Sequence, residues 1–265
     1  MKIQKNKLSD IPPVKSNVDD TADLPFIPIK PLPCKSFMLY IIGSPGSGKT
    51  STMMSLLSSH PTKKSPNTNC YYWKFFDNIY LISGSLATLP NKFTKLLPED
   101  KQFNQFSDEL IEDIVENLYE GDNDNNLIIL DDVIKDLKRS KIMSKICLNR
   151  RHCTHNSEKE NQSGLSIFII SQKYTLLPLE YRNATSDFII FKTSNFTELK
   201  RIKEELCTDL TDDEFNKLTK LAWKNKYSFL YIKINENKQN KYFIVFDKVI
   251  FESDEDDLYD ETIEV

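Results

Sequence analysis

The sequence predicts an α/β fold organised around a mostly parallel sheet, and three observations carry that expectation. Five short, continuously apolar runs recur along the chain, as strands buried on both faces require. Segments with helical spacing separate them, the alternation that gives a sheet covered by helices on both sides. The first run leads at once into a glycine-rich loop and then an apolar helical stripe.

The first run is Phe37-Met38-Leu39-Tyr40-Ile41-Ile42, and the stripe after the loop is Met53, Met54, Leu56 and Leu57. A polar, proline-containing loop over residues 60–69 precedes the second run, Ile79-Tyr80-Leu81-Ile82, which Ser83-Gly84 ends. Leu110, Ile111, Ile114, Val115 and Leu118 predict a helix, with Ser107 as N-cap and Asp108 and Glu109 in its first turn. A turn over residues 122–126 leads to the third run, Leu127-Ile128-Ile129-Leu130, closed by Asp131-Asp132. A basic helical stretch then runs to about Cys147. Residues 166–172 and 188–191 are the fourth and fifth runs; helices are expected over 197–206 and 212–225. A closing hairpin pairs residues 229–234 with 242–246 across a polar turn.

This organisation predicts one folded unit over residues 36–250. Six of the twelve prolines fall within residues 1–35, which reads as an extended arm suited to contact between subunits. Residues 251–265 are dense in Asp and Glu and read as a solvated tail. Apolar content is 39% and charged content 28%, enough for a packed core and against wholesale disorder. The net charge of −4 means that any surface for a nucleic acid must be local. Five cysteines without a framework spacing fit reduced thiols in a cytosol-like compartment. The first ten residues carry no signal peptide pattern, and no apolar stretch is long enough to span a bilayer.

Gly43-Ser44-Pro45-Gly46-Ser47-Gly48-Lys49-Thr50 matches every fixed position of G-x-x-x-x-G-K-[ST], between a strand and a helix. Three of the six glycines sit in this loop, a concentration that ordinary turns do not explain. Backbone N–H groups there would cradle phosphates, with Ser51 continuing the nucleotide-binding segment. Lys49 would bridge the β- and γ-phosphates, and the Thr50 hydroxyl would bind Mg²⁺. The expected cofactors are therefore ATP and Mg²⁺.

The apolar run ending in Asp131-Asp132 has the form of a Walker B element. Asp131 would hold the metal, and Asp132 would polarise the attacking water. By itself an apolar strand ending in Asp is common in α/β proteins; the upstream loop gives it meaning. Gln172 closes the fourth run, where a polar side chain would sense the γ-phosphate or the water; the bland alternative is a solvent-facing strand end. From Lys135 to Arg151 there are seven basic residues against the single acid Asp136, either a track for a phosphate backbone or a solvated helix face. Arg151 and Arg182 are candidates for stabilising γ-phosphate charge across a subunit boundary. Cys147, His152, Cys153 and His155 match no usual zinc spacing.

The ordered set resembles the genome-packaging ATPases of large nucleocytoplasmic DNA viruses and virophages, within the FtsK/HerA superfamily of P-loop NTPases. The likeness covers roughly residues 36–250. It runs through residues 43–50 and 127–132, then Asn149-Arg150-Arg151-His152, Gln172, Leu177-Pro178, Tyr181-Arg182-Asn183 and the closing hairpin. The polar insert over residues 155–164 departs from the pattern and leaves the placement of Arg151 relative to the nucleotide open.

The resemblance implies a RecA-like domain of the additional-strand layout with sheet order 5-1-4-3-2. It also implies a homo-oligomeric ring, pentameric or hexameric, that hydrolyses ATP to drive double-stranded DNA into a preformed capsid. Capsid-vertex or portal-like proteins would be its partners, and the host-cell cytoplasm at the site of virus assembly, or the virion, its location. By position, Lys49 and Thr50 would bind nucleotide and metal, Asp131 magnesium, Asp132 would be the base, Gln172 the sensor, and Arg151 or Arg182 a trans-acting or sensing group. The rival readings are another FtsK/HerA-like translocase or helicase, a nucleoside or nucleotide kinase, and a slowly hydrolysing nucleotide-binding scaffold. A kinase would need an arginine-bearing lid, for which no segment stands out. An AAA-type remodelling ATPase would need a separate helical lid domain, for which the chain lacks room.

Overall fold

The computed structural model describes residues 1–4, 28–34, 36–60, 70–121, 125–153 and 164–251. Most of the proline-rich arm, nearly all of the polar insert and the acidic tail from residue 252 lie outside the described residues.

Among the described residues, ten strands form one sheet: β1 (Lys2–Gln4), β2 (Met38–Ile42), β3 (Asn78–Ser83), β4 (Gln102–Phe103), β5 (Asn125–Asp131), β6 (Gly164–Ser171), β7 (Asp187–Phe191), β8 (Phe229–Lys233), β9 (Tyr242–Ile244) and β10 (Asp247–Ile250). All five apolar runs are strands. They lie side by side as β7-β2-β6-β5-β3, so the expected order 5-1-4-3-2 forms the middle of a longer sheet. These strands and β4 run parallel; β8, β9, β10 and β1 extend the β7 edge antiparallel.

The continuous apolar runs have a direct physical origin. Alternate residues of β2 feed opposite faces: Met38, Tyr40 and Ile42 join one core cluster, and Leu39 and Ile41 the other. Both faces are covered, so no position can be polar without a partner.

Among the described residues, the α-helices in chain order are α1 (Lys49–Ser58), α2 (Asn91–Thr94), α3 (Asp108–Glu120), α4 (Ile134–Leu137), α5 (Lys141–Asn149), α6 (Leu179–Ala184), α7 (Phe196–Leu206), α8 (Asp212–Ala222) and α9 (Lys238–Lys241). Met53, Leu56 and Leu57 of α1 cover one face, with Tyr72, Phe75, Phe76 and Phe93. Ile111, Met143, Ile202 and Leu218, from α3, α5, α7 and α8, cover the other. Ser107 caps α3 as expected, accepting from the Leu110 N–H at 3.1 Å, a cap worth about 1 kcal/mol. The basic stretch is not one helix: it breaks after α4, and Ser140 caps α5 by accepting from the Met143 N–H.

The two ends of the arm join the folded unit, one as a strand and the other by packing. Lys2–Gln4 pairs antiparallel with β10, Leu32 is buried, and the Tyr72 hydroxyl donates to the Pro33 carbonyl at 2.9 Å. The edge strands β1 and β4, and β10 next to β1, are too short or too polar for periodicity to mark them.

Candidate active site

Parallel register brings the separate sequence motifs to one edge. Ile42 pairs with Ser171, Asp131 with Ile170, and Ser83 with Asp131. The carboxyl ends of β3, β5, β6 and β2 therefore form one row, where open α/β sheets place their ligands. Backbone bonds tie the row together above the strands: the Gly43 N–H donates to the Ser171 carbonyl at 3.2 Å, and the Asp132 N–H to Ile170 at 3.4 Å.

The loop over residues 43–50 needs its glycines. A Cβ on Gly43 would lie 2.5 Å from Ser47 Oγ and 2.7 Å from Phe191 Cβ, so the chain could not pass there with a side chain. Gly48 has φ 107, a left-handed conformation, and serves as the N-cap of α1. The first turn of α1 thus begins inside the loop, with its free N–H groups and positive dipole end directed out of the helix. The Lys49 ammonium folds back to donate to the Ser44 carbonyl at 3.1 Å. Burial lowers its pKa, and the carboxylates of Asp132 and Asp131 pull it partly back.

Asp131 and Asp132 are adjacent but unlike. Asp131 is 3% exposed and accepts a hydrogen bond from the Ser83 hydroxyl at 3.0 Å. Burial pushes its pKa up, the Ser83 bond lowers it, Asp132 pushes it up again, and Lys49 lowers it. Asp132 is exposed at φ 57, a left-handed turn that Asp tolerates better than most residues. The turn takes the second carboxylate off the strand and into the open edge.

Gln172 follows β6 immediately and is exposed. It lines a cavity of about 710 Å³ together with residues 43–47 of the loop. The side chain expected at the end of the fourth run therefore faces the same space as the loop.

The two arginines part company. Arg182, expected as a trans-acting or sensing group, is held inside the subunit. Its guanidinium forks onto Glu205 through Nε at 2.8 Å and Nη2 at 2.9 Å, lies 5.0 Å from the Tyr174 ring centre, and is 11% exposed. A charge paired so fully at low exposure serves as a packing element within this subunit. Arg151 is exposed in the 3₁₀ turn Arg150–His152, beside Gly164 at the amino end of β6. Residues 164–171 then span seven steps of about 3.3 Å, roughly 23 Å, before the loop's edge is reached. Arg151 cannot touch a nucleotide held by its own loop.

No protein-family pattern and no curated protein sequence matches the chain. Solved structures do. The genome packaging NTPase B204 from Sulfolobus turreted icosahedral virus 2, in complex with sulfate, matches at 14% identity with a TM-score of 0.55, over 83% of this chain and 100% of that one. B204, the DNA-packaging ATPase from Sulfolobus turreted icosahedral virus, matches at 16% identity and a TM-score of 0.51, over 83% and 100%. The virus 2 protein in complex with ATP-gammaS matches at 15% and 0.51, over 82% and 98%.

The chain has the fold of viral genome-packaging NTPases.

Within that fold the donor set fits a nucleotide and a hard divalent cation. Thr50, Asp131 and Asp132 offer hard oxygen donors, the kind Mg²⁺ takes, and Lys49 with the first turn of α1 offers anion donors. The Ser47 hydroxyl is buried in the loop with no protein partner. Sequence reasoning missed Ser83, which orients Asp131. Its only signal was a hydroxyl at the end of the run before Gly84, legible once the neighbouring strand is known. It also missed Tyr227, whose ring packs 3.4 Å from where a Gly48 Cβ would lie. Among the described residues, no helix is long and apolar enough to cross a membrane.

Proposed function

We propose that the chain is a viral DNA-packaging motor ATPase, hydrolysing ATP with Mg²⁺ to translocate double-stranded DNA into a preformed capsid. One observation carries the reading: the phosphate loop, the Asp131-Asp132 pair and Gln172 converge on a single sheet edge in a packaging-NTPase fold. Bound Mg²⁺ supplies charge neutralisation at the transferring phosphoryl group.

The chain's own residues do the rest. Residues 43–51 bind the phosphates, with Lys49 as the cation between β and γ and the Thr50 hydroxyl on the metal. Asp131, held by Ser83, is the buried metal ligand. Asp132 takes the proton of the attacking water on its carboxylate, and the Gln172 amide positions that water. Arg151 is the arginine offered to a neighbouring subunit's site, since it is exposed and remote from its own loop. Such a role requires a ring of subunits; capsid-vertex or portal-like proteins are the expected docking partners, and a virus assembly site the expected location.

The basic residues favour DNA as the polymer. Lys135, Lys138, Arg139, Lys141 and Lys145 are exposed while Met143, Ile146 and Cys147 are buried, so the stretch from α4 into α5 turns its basic side chains to solvent. Steady-state ATP hydrolysis with and without duplex DNA tests the reading. Stimulation by DNA that vanishes in Lys49→Ala supports it; phosphate transfer to a nucleoside, independent of DNA, contradicts it.

A further inference from the structure

Buried polar groups that the proposed chemistry does not use anchor the chain on both sides of Gln172. Gln172 and Lys173 are exposed, whereas Ser171 before them and Tyr174 after them are 1% and 0% exposed. The Gln172 amide therefore rides on a short turn fixed at both ends.

The first anchor is Tyr40, fully buried on β2, the strand that runs into the phosphate loop. Its hydroxyl lies 2.5 Å from the Ser171 hydroxyl, 2.8 Å from the Lys173 carbonyl and 3.2 Å from the Tyr174 carbonyl. The Ser171 hydroxyl donates to the same Lys173 carbonyl at 2.9 Å. Burial pushes the Tyr40 pKa up, so the hydroxyl keeps its proton and remains a donor. One side chain thus ties the backbone on either side of Gln172 to the strand that carries the loop.

The second anchor is Glu198, 6% exposed in the first turn of α7. Its carboxylate accepts from the Tyr174 N–H at 2.6 Å and from the Thr175 hydroxyl at 2.5 Å. The Thr175 N–H lies 3.4 Å from both of its oxygens. Those N–H groups open the 3₁₀ turn Tyr174–Leu176, which has no capping side chain of its own. Among the described residues, no Lys, Arg or His forms an ion pair with Glu198. A buried carboxylate is costly unless hydrogen-bonded. Here the donors of one turn and the positive dipole end of α7 compensate it. Glu198 also lines the cavity that Gln172 shares with the phosphate loop.

We infer that Tyr40 and Glu198 are positioning residues for hydrolysis: together they set where the Gln172 amide stands relative to the phosphate loop. They act through Gln172 and not on the substrate. The inference rests on the proposed role of Gln172 in holding the attacking water. Misplacing a reacting group by about 1 Å costs on the order of a hundredfold in rate, so releasing one of two anchors should be visible in turnover.

Steady-state ATP hydrolysis by the full chain at saturating Mg²⁺, with calorimetric binding of the imidodiphosphate analogue of ATP, tests it. Tyr40→Phe removes only the hydroxyl, and Glu198→Gln keeps the shape with one acceptor oxygen in place of two. Each should lower kcat about tenfold and leave KM and the analogue's Kd within about twofold of native. Gln172→Ala should lower kcat at least as far. Adding either variant to Gln172→Ala should lower kcat no further, because there is then no amide left to position. A merely structural role predicts the opposite: a lowered thermal transition with native kcat, or a loss that multiplies with that of Gln172→Ala. Either result overturns the inference. If Tyr40→Phe loses its thermal transition, Glu198→Gln decides alone, since its substitution lies at the edge of the core. A native kcat in Gln172→Ala overturns the role of Gln172 and the inference with it. A loss in Gln172→Ala beside native kcat in the other two overturns the positioning role alone.

Discussion

The Ser83 hydroxyl donates to Asp131 at 3.0 Å from the directly paired position on the neighbouring strand. That bond is the larger of two neutral contacts, with the Ser85 hydroxyl, that favour the ionised form of a carboxylate burial disfavours. Ser83→Ala removes it. A hydrogen bond to a charged group contributes about 1.5–3 kcal/mol, so the variant should need roughly tenfold more Mg²⁺ for half-maximal hydrolysis. Its rate at saturating Mg²⁺ should stay near native. A Mg²⁺ titration of hydrolysis checks this, and an unshifted titration would remove Ser83 from the account.

Lys49 offers the loop's cation at half-buried cost. Lys49→Ala should cut hydrolysis by about a hundredfold or more, because charge on the transferring group loses its clamp. The fold should be little affected, since the side chain's one hydrogen bond, to the Ser44 carbonyl, is exposed. Initial rates and thermal unfolding, measured together, separate the two effects.

Arg182 should matter for stability rather than for turnover. Arg182→Ala leaves the Glu205 carboxylate without its forked partner and should cost about 2–4 kcal/mol in denaturant unfolding. Burial raises the Glu205 pKa, but hydrogen bonds from Arg182 and Tyr174 outweigh it, and the net shift is downward from 4.5. A folded pKa below the unfolded one means stability that is fully present above pH 4.5. That stability is lost as the pH falls through the lower folded value. The native protein's advantage over Arg182→Ala should therefore shrink only below about pH 4.5. A difference that grows with acid would contradict the pair's assignment.

The exposed basic residues from α4 into α5 should set the salt dependence of DNA binding. Each phosphate contact contributes about 0.9 to the slope of log affinity against log salt. Replacing Lys135, Lys138 and Arg139 by Gln should flatten the slope by up to about 2.7, read from binding isotherms at several salt concentrations. An unchanged slope would place the DNA elsewhere.

How far the sequence led depended on whether a residue's job was local. Gly43, Gly48 and Lys49 act within one strand-loop-helix unit, so their spacing announced them. The order of the central strands was legible through the family resemblance, because both-face burial writes itself as continuous apolar runs. Ser83 was not legible, since its meaning comes from a partner 48 positions away in the parallel register. The partner of Arg182 was not legible for the same reason: Glu205 lies on another helix, and only packing brings the pair together. Lys2–Gln4 is a strand only because β10 offers an open edge, and nothing in three polar-flanked residues says so. The single basic helix split because Ser140 prefers to cap rather than continue, a local signal that was present and outweighed by the charge pattern.

Movement of this chain along duplex DNA, driven by nucleotide hydrolysis, is read by a strand-displacement assay. A labelled third strand annealed as a triplex on linear duplex DNA reports passage of the protein. The account predicts that ATP with Mg²⁺ releases the strand, and that Lys49→Ala, like omission of ATP, leaves it in place. ATP hydrolysis that proceeds on the same duplex without releasing the strand would contradict it.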